Sequence, residues 1–339
     1  MKKYLLPEAG KFYKANLHTH TTVSDGKLTP EEAKERFMSL GYSVVAFTDH
    51  EVMVPHPELC DDNFIALTGI EISINEAVKK PFNKTYHLNV YSPELERSVT
   101  GTFCAGSVWG NAKLSVTEQM VAAGTATREY SREFVQKMID TATEEGCLVS
   151  YNHPVWSLQS KDDYSGIKGF FGIEWSNTSA CGLGDVDTYK PIRDLLAEGE
   201  RMCYPLATDD CHQAFEYGGG WVDIKAPAFT YGDIFKALRR GDFYSSTGPA
   251  IRELYVEDGE VVVKTSDAVS IAFVSNHRLT HVKRGENVNE ARFSLEWFIQ
   301  NSKRPESEGI TWFRIDVIDK HGKIARTKAY FADEVAEIE

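Results

Sequence analysis

Apolar runs typical of strands alternate with helical patterns over the first 240 residues. The run that ends in LHTH is followed by the helical segment TPEEAKERF and then by another apolar run, SVVAF. In this helical segment Thr29 is the predicted N-cap, Pro30 takes the first helical position and Glu32 completes a capping box. Strands that alternate with helices are typical of a parallel sheet or a barrel.

The pattern changes at two places along the chain. Residues 93–127 lack clear periodicity, and we interpret them either as an insertion near the mouth of the barrel or as a surface excursion. Beyond residue 248, alternating runs and turn sequences such as DG and HG predict strands and no helix. We therefore expect a barrel domain at residues 1–247 and a small, sandwich-like all-β domain at residues 248–339.

Composition and charge narrow the class of protein. A hydrophobic content of 42% and a charged content of 26% suit a globular protein with a large core. The net charge of −13 argues against a nucleic-acid partner, although a local basic groove would still permit one. The chain has no apolar run long enough for a membrane span, and its N-terminus is a poor signal peptide. Its six scattered cysteines predict the reduced thiols of a cytoplasmic protein.

Titratable side chains recur where the predicted strands end. His18 and His20 close the first strand, and they point to one face because side chains two residues apart in a strand share a face. The other residues near, at or just after predicted strand ends are Asp25, Asp49, His50, Glu71, Asn152, His153, Asp209, Asp210 and His212. Because active sites of barrels lie at the carboxyl ends of the strands, this placement predicts a shared metal site.

Not every histidine follows this rule. His87 opens a strand-like run instead of ending one. The histidines that lack any such placement are His56, His277, His281 and His321, which we expect to be structural or surface residues. A single histidine after a strand is usually an ordinary polar residue, so the metal-site prediction depends on the whole set.

These motifs resemble the PHP (polymerase and histidinol phosphatase) superfamily of metal-dependent phosphoesterases. The resemblance runs in the family's order through LHTHTTVSDG, AFTDH, GIEIS, YHLNVYS, YNHP and ATDDCH, over about residues 14–215. It implies an α/β fold, a distorted (β/α)7 barrel, that holds two or three divalent ions. The segment RRGDFYSSTGPAI and the β-domain after it resemble an extension found in one bacterial branch of the family.

The resemblance implies a role for each residue of the set. The ligands of one ion would be His18, His20, Glu71 and Asp210. Glu71 would bridge to a second ion, whose other ligands would be His87 and His153, and a third ion would be held by Asp25, His50 and His212. The residues that orient ligands would be Asp49, Asn152 and Asp209. Some family members carry histidine at position 25, where an aspartate favours a harder ion.

The types of ligand indicate the chemistry. Imidazoles and carboxylates without thiolates suit Mn, Zn or Fe(II). Several divalent ions beside three carboxylates leave a positive pocket, which favours a phosphate dianion. Bridging ions also lower the pKa of a bound water and supply hydroxide near neutral pH. Candidates for contacts with the rest of the substrate are Lys27, Arg128 and the turn Ser246–Pro249.

We expect an enzyme that hydrolyses a small phosphomonoester, such as a nucleotide or a sugar phosphate, by means of a metal-bridging hydroxide. The catalytic residues would be Glu71, His153, Asp210 and His212. One alternative is a phosphodiesterase or 3′–5′ exonuclease that acts on oligonucleotides with the same metals. Another is a metal-holding scaffold without catalysis, whose β-domain binds a partner.

The first testable prediction concerns metal content. We expect at least two transition-metal ions per chain in gently purified protein, because the proposed role of Glu71 is to bridge two ions. Elemental analysis measures this ratio. One ion or none, even after reconstitution, would argue against the assignment of ligands.

Overall fold

The computed structural model describes residues 2–77, 83–125, 127–184, 188–303 and 311–336. Parts of both predicted domains, and residue 126 of the predicted insertion, lie outside the described residues. Within these ranges the chain forms strands, α-helices and three short 3-10 helices. The 3-10 helices are Pro57–Leu59, Ala105–Ser107 and Gly110–Ser115.

The strands and helices are numbered in chain order. The strands are β1 (Lys3–Tyr4), β2 (Lys11–Asn16), β3 (Val44–Phe47), β4 (Ile65–Asn75), β5 (Thr85–Tyr91), β6 (Leu148–Tyr151), β7 (Gly172–Asn177), β8 (Tyr204–Thr208), β9 (Trp221–Ala226), β10 (Phe243–Ser246), β11 (Ile251–Glu257), β12 (Glu260–Ser275), β13 (Thr280–Ser294), β14 (Trp312–Ile318), β15 (Ile324–Thr327) and β16 (Tyr330–Phe331). The helices are α1 (Pro30–Ser39), α2 (Glu118–Ala123), α3 (Arg132–Glu144), α4 (Lys161–Tyr164), α5 (Thr178–Gly182), α6 (Lys190–Ala197), α7 (Tyr231–Arg240), α8 (Leu295–Ser302) and α9 (Ala332–Ala336).

The local signals for the first helix are confirmed. The Thr29 hydroxyl accepts a hydrogen bond from the backbone N–H of Glu32, and the Glu32 carboxylate accepts one from the backbone N–H of Thr29. This capping box satisfies backbone donors that the first turn of a helix leaves free. Ala33 and Phe37 form the buried face of the helix.

The α/β part of the sheet has one reversed strand. Strands β2, β3 and β4 are parallel neighbours, and so are β6, β7 and β8. Between these groups β5 runs antiparallel to both β4 and β6. The beginning of β5 therefore lies at the edge where its parallel neighbours end. This reversal explains why His87, near the start of its strand, joins residues at the ends of other strands.

The two ends of this curved sheet meet beside the strand ends. We call strands β2 to β9 with their helices the barrel, and the seven-fold (β/α) architecture itself stays a prediction. The backbone N–H of Asp210, just after β8, donates to the carbonyl of His18, just after β2, over 2.9 Å. The N–H of His20 donates to the carbonyl of Cys211 over 3.2 Å. These bonds align the segment that follows β8 with the segment that follows β2.

The β-rich C-terminal region that the sequence predicts is present, and it belongs to the same sheet. Strand β10 pairs with β9 on one side and with β15 on the other. The strand order then continues through β14, β12 and β11 to β1. The sheet therefore extends from the barrel into the C-terminal region without a break. The domain boundary at residue 247 stays a prediction.

The expectation that the C-terminal region contains no helix is wrong. The segment RFSLEWFI, which we predicted as a strand, passes from β13 into helix α8 at Ser294. The Ser294 hydroxyl accepts from the backbone N–H of Trp297 and caps the helix. Leu295, Phe298 and Ile299 are buried at helical spacing, so tertiary packing of this face outweighs the strand propensity of the segment.

The predicted insertion packs on loops at the strand ends. Phe103, Val108 and Met120 form a cluster with Val52, which lies in the loop after β3. The side chain of Asn111 donates to the carbonyl of Thr22. No helix in the described ranges has both the length and the apolar character that a membrane span requires.

The barrel and the C-terminal region share a core. Trp312, Ala329 and Phe331 belong to the same buried cluster as residues of β4 to β7. Trp312 is 1% exposed. Its side chain therefore contributes to packing on the barrel side of the sheet.

We predict that Trp312→Ala lowers the free energy of unfolding by about 3–5 kcal/mol, because it leaves a large cavity in the shared core. Urea denaturation measures this change. The control is Leu114→Ala, since Leu114 is 88% exposed and its truncation should change the free energy by less than about 0.5 kcal/mol. A change below about 1 kcal/mol for Trp312→Ala would show that the two regions do not share a core.

Candidate metal centre

Side chains from six segments converge at one end of the barrel. His18 and His20 follow β2, and His50 follows β3. Glu71 lies in β4, His87 in β5, His153 after β6, and Asp210 and His212 after β8. All of these except His212 are buried. The structure thus brings together residues that are far apart in the sequence.

Glu71 lies at the centre of this group and is 1% exposed. Its Oε1 atom is 3.2 Å from His18 Nε2, 3.1 Å from His87 Nδ1 and 3.4 Å from His153 Nε2. Its Oε2 atom is 3.2 Å from His20 Nε2 and 3.1 Å from His50 Nδ1. One carboxylate therefore faces five imidazoles.

Asp210 contributes a second carboxylate to the group. Its Oδ1 atom is 3.1 Å from Nε2 of both His18 and His20. One potential ligand atom from each of His18, His20, Glu71 and Asp210 lies within 4.8 Å of the others, and the same holds for Glu71, His87 and His153. These two groups share Glu71, as a bridging carboxylate would require.

Asp25 lies at the more open side of the site. Its Oδ1 atom is 3.4 Å from His212 Nε2 and 3.9 Å from both His20 Nδ1 and His50 Nε2. These four residues also place one potential ligand atom each within 4.8 Å of the others. The side chains of Asp25 and His212 are 31% and 24% exposed, so this group is the most accessible to solvent.

The buried atoms without partners show that these residues fit a metal. Glu71 Oε2 and His50 Nδ1 are 3.1 Å apart, yet neither has a hydrogen-bond partner. Asp210 Oδ1 and His20 Nδ1 are also buried without one. Buried polar atoms without partners lower the stability of a fold. Here they are imidazole nitrogens and carboxylate oxygens that point toward one another, as the ligand atoms of a metal ion would. Such a donor set suits divalent ions of the Mn, Fe and Zn type.

The charges inside the site shift the pKa values of its members. Burial alone would raise the pKa of Glu71, but the charges of His18, His87 and His50 outweigh it and hold this pKa well below its usual range. Burial alone would lower the pKa of His153, but its hydrogen bond to Glu71 and the nearby carboxylates raise it to about 9. The carboxylate of Glu71 is therefore ionised at neutral pH and available as a ligand.

Glu174 is a site residue that the sequence analysis missed. It is fully buried, and its Oε1 accepts from His18 Nδ1 over 2.8 Å and from the Thr208 hydroxyl over 2.7 Å. Its Oε2 accepts from the backbone N–H of His153 over 2.8 Å. The bond from Nδ1 leaves the Nε2 atom of His18 facing the site. The sequence signal was present, because GIEWSN in β7 resembles GIEIS in β4.

The three residues expected to orient ligands occupy different places. Asn152 donates to Glu71 Oε1 over 2.8 Å and so contacts a proposed ligand directly. Asp49 accepts from the backbone N–H and the hydroxyl of both Thr21 and Ser24, which shapes the loop that carries Asp25.

Asp209 does not contact a proposed metal ligand through its side chain. It accepts from the backbone N–H groups of residues 218–220 and from the Thr178 hydroxyl. Burial raises the pKa of Asp209 to about 6, against the lowering effect of these hydrogen bonds. Its role is to hold the loop after His212 in place.

None of the candidates for substrate contacts lines the cavity that opens onto the cluster. The side chain of Arg128 is 4% exposed and donates to Glu51, to the carbonyl of Ser73 and to the carbonyl of Thr102, so it is not available to a substrate. Lys27 is exposed and does not line the cavity described below. The Ser246 hydroxyl donates within its own turn, to the carbonyl of Pro249.

The other histidines are outside the centre. His56 is buried, packs on the Phe47 ring and donates from Nδ1 to Glu58. The ring of His281 contacts Trp297. His277 and His321 lie in or near turns of the C-terminal region. None of these four forms part of the metal-ligand groups in the described residues.

A cavity of about 280 Å³ opens onto the cluster. The lining residues are Asp25, His50, Glu71, His87, His153, Trp156, Ser179, Ala180, Leu183, Asp210 and His212. Its floor is the proposed ligand set, and part of its wall is apolar. The cavity therefore gives a small molecule direct access to the charged group.

A family model described as PHP domain matches residues 16–226, which is more than half of the chain. This range contains all the residues of the candidate centre. No curated protein matches the sequence.

Solved structures with similarity to the chain include three from different organisms. A two-domain protein containing a predicted PHP-like metal-dependent phosphoesterase, from Bacteroides vulgatus, has a TM-score of 0.42 and 13% identity, with 97% of this chain and 98% of that chain covered. An amidohydrolase from Chromobacterium violaceum, with bound sulfate and no metal, has a TM-score of 0.35 and 15% identity, with 58% and 87% covered. A lesion-specific endonuclease from Pyrococcus furiosus has a TM-score of 0.38 and 13% identity, with 96% and 71% covered.

We predict that Glu174→Gln weakens metal binding about 10- to 100-fold while the fold is kept, because His18 loses the negative charge that fixes its orientation. Competition with a chelator measures the affinity, and circular dichroism checks the fold. The control is Glu198→Gln, which removes a carboxylate that bonds Ser165 on the surface. Equal affinities for Glu174→Gln and the wild type would exclude the proposed support of His18.

Proposed function

Since the chain belongs to the PHP domain family, whose members are metal-dependent phosphoesterases, we propose that it hydrolyses a small phosphomonoester such as a nucleotide or a sugar phosphate. The observation that carries this proposal is the position of Glu71. Its carboxylate belongs to two groups of converging ligand atoms, so the side chain can join two neighbouring ion sites.

We assign the ligands of the ions to three groups. The first group is His18, His20, Glu71 and Asp210, the second is Glu71, His87 and His153, and the third is Asp25, His50 and His212. Divalent ions bound there lower the pKa of a water molecule and neutralise charge on phosphoryl oxygens. In this proposal Glu71, His153, Asp210 and His212 act next to the reacting group.

Neighbouring side chains hold the proposed ligands in position. Glu174 fixes the ring of His18, and Asn152 fixes the carboxylate of Glu71 through a 2.8 Å hydrogen bond. His212 lies at the accessible side of the site, where the leaving group of a substrate would depart. Its Nδ1 atom lies 3.0 Å from the backbone carbonyl oxygen of Asp210, which leaves Nε2 facing the site.

The size of the cavity favours a small substrate. A volume of about 280 Å³ is near the lower end of the range for small-molecule sites. The described lining residues include no lysine or arginine that could follow a polynucleotide backbone. Both observations favour a monoester over an oligonucleotide.

We predict that Glu71→Gln loses at least one ion and lowers kcat by more than about 100-fold, or about 2.7 kcal/mol of activation free energy. The glutamine keeps the size of the side chain but lacks the charge and one good ligand oxygen, so the metals repel each other with less compensation. Hydrolysis of a phosphomonoester at saturating Mn, together with elemental analysis, measures both effects.

The control for this experiment is His56→Ala, which changes a histidine that lies outside the cluster and should leave activity almost unchanged. Circular dichroism confirms that both variants are folded. Wild-type activity and full metal content in Glu71→Gln would rule out the bridged site. Loss of activity in His56→Ala alone would show that the wrong histidines were assigned.

A further inference from the structure

Trp156 places a large apolar surface at the mouth of the cavity. Its indole is 38% exposed and lines the cavity, whereas Trp175 and Trp312 are buried. Exposed apolar surface is unfavourable in water, and a partner that covers it gains this free energy. The exposed face of Trp156 is therefore suited to contact with a bound molecule.

The indole is held in place by its neighbours. Its ring centroid is 4.9 Å from that of His153 in an edge-on arrangement and 5.5 Å from that of His87. The turn that carries it is closed by a hydrogen bond between the His153 ring and the Ser157 hydroxyl. Since both imidazoles are proposed metal ligands, the indole lies next to the position of the phosphate group.

The rest of the cavity wall beyond the ligand set is mainly apolar. Ala180 and Leu183 line it, and Leu183 is 70% exposed. Among the described lining residues there is no lysine or arginine. A second phosphate or another anionic group on the substrate would therefore meet no cation there.

We infer that Trp156 selects substrates in which one phosphate is linked to a flat aromatic group, which stacks on the indole with its edge toward Leu183. This inference rests on the proposed phosphomonoester hydrolysis and names the chemical class of its leaving group. Aromatic stacking adds about 0.5–1.5 kcal/mol to the burial of apolar area, or about 2- to 12-fold in binding. A saturated ring of the same size buries a similar area without this gain.

Two matched substrates separate stacking from simple apolar contact. Benzyl phosphate and cyclohexylmethyl phosphate are both monoesters of primary alcohols, and they differ in the flatness of the ring and, more weakly, in the acidity of the leaving alcohol, so the preference is compared between variants. We expect the Mn-loaded wild type to hydrolyse the benzyl ester with a kcat/KM about threefold to tenfold higher. We expect this preference to persist in Trp156→Phe and to disappear in Trp156→Ala.

Phe215→Ala is the control, because Phe215 is an aromatic residue that is 79% exposed and does not line the cavity. The ratio of kcat/KM for the benzyl ester to that for the cyclohexylmethyl ester should be the same in Phe215→Ala as in the wild type. Equal kcat/KM values for the two esters in the wild type, or an unchanged preference in Trp156→Ala, would overturn the inference.

Binding of non-hydrolysable analogues keeps this test independent of catalysis. Isothermal titration with 2-phenylethylphosphonate and 2-cyclohexylethylphosphonate gives the ratio of Kd values for the wild type and for each variant. A preference for the phenyl compound that requires Trp156, without hydrolysis of either ester, would support the inference and contradict the proposed function. Hydrolysis of both esters without any preference in rate or binding would support the function and overturn the inference.

Discussion

Glu71 carries a buried negative charge around which the whole end of the barrel is organised. Removing a carboxylate from water costs several kcal/mol unless charged or hydrogen-bonded partners surround it. The five imidazoles within 3.4 Å come from segments that follow or belong to four different strands. A fold that surrounds this charge with partners must therefore bring those strand ends together. The same geometry places potential ligand atoms where a metal ion could bind. On the proposed assignment of ligands, folding and metal binding are coupled through Glu71.

The backbone adopts unfavourable conformations where it turns toward this charge. Glu51, His153 and Asp210 have φ angles of 65°, 25° and 51°, which residues with a side chain rarely adopt. Each such residue costs about 1–3 kcal/mol and persists only where the surroundings enforce it. The N–H of Glu51 donates to the carbonyl of Glu71, and the N–H of His153 donates to Glu174. These bonds offset the strain and aim the side chains of the site.

The C-terminal region supports the barrel through the sheet and the core. Strand β10 lies between β9 and β15, so the C-terminal strands extend the barrel sheet along the same hydrogen-bond ladder. Trp312 adds a buried side chain to the cluster that also contains residues of β4 to β7. On another side, Arg128 pairs with Glu51, next to His50, and donates to the carbonyl of Thr102 in the insertion, which ties the insertion to the site. The site thus depends on segments that contribute no proposed ligand.

Local patterns in the chain were enough to locate the strand ends, the capping box of α1 and the residues that converge in the candidate centre, because periodicity and capping depend on near neighbours. They could not show that the strand of His87 runs in the opposite direction to its neighbours, since the reversal of β5 depends on pairing with β4 and β6. They also did not identify Glu174 as a partner of His18. They suggested Arg128 as a substrate contact, whereas its side chain pairs with Glu51, which lies 77 residues away in the chain. Strand direction and the pairing of distant charges arise when segments pack together, and a short stretch of sequence carries no record of which distant segment its side chains will meet.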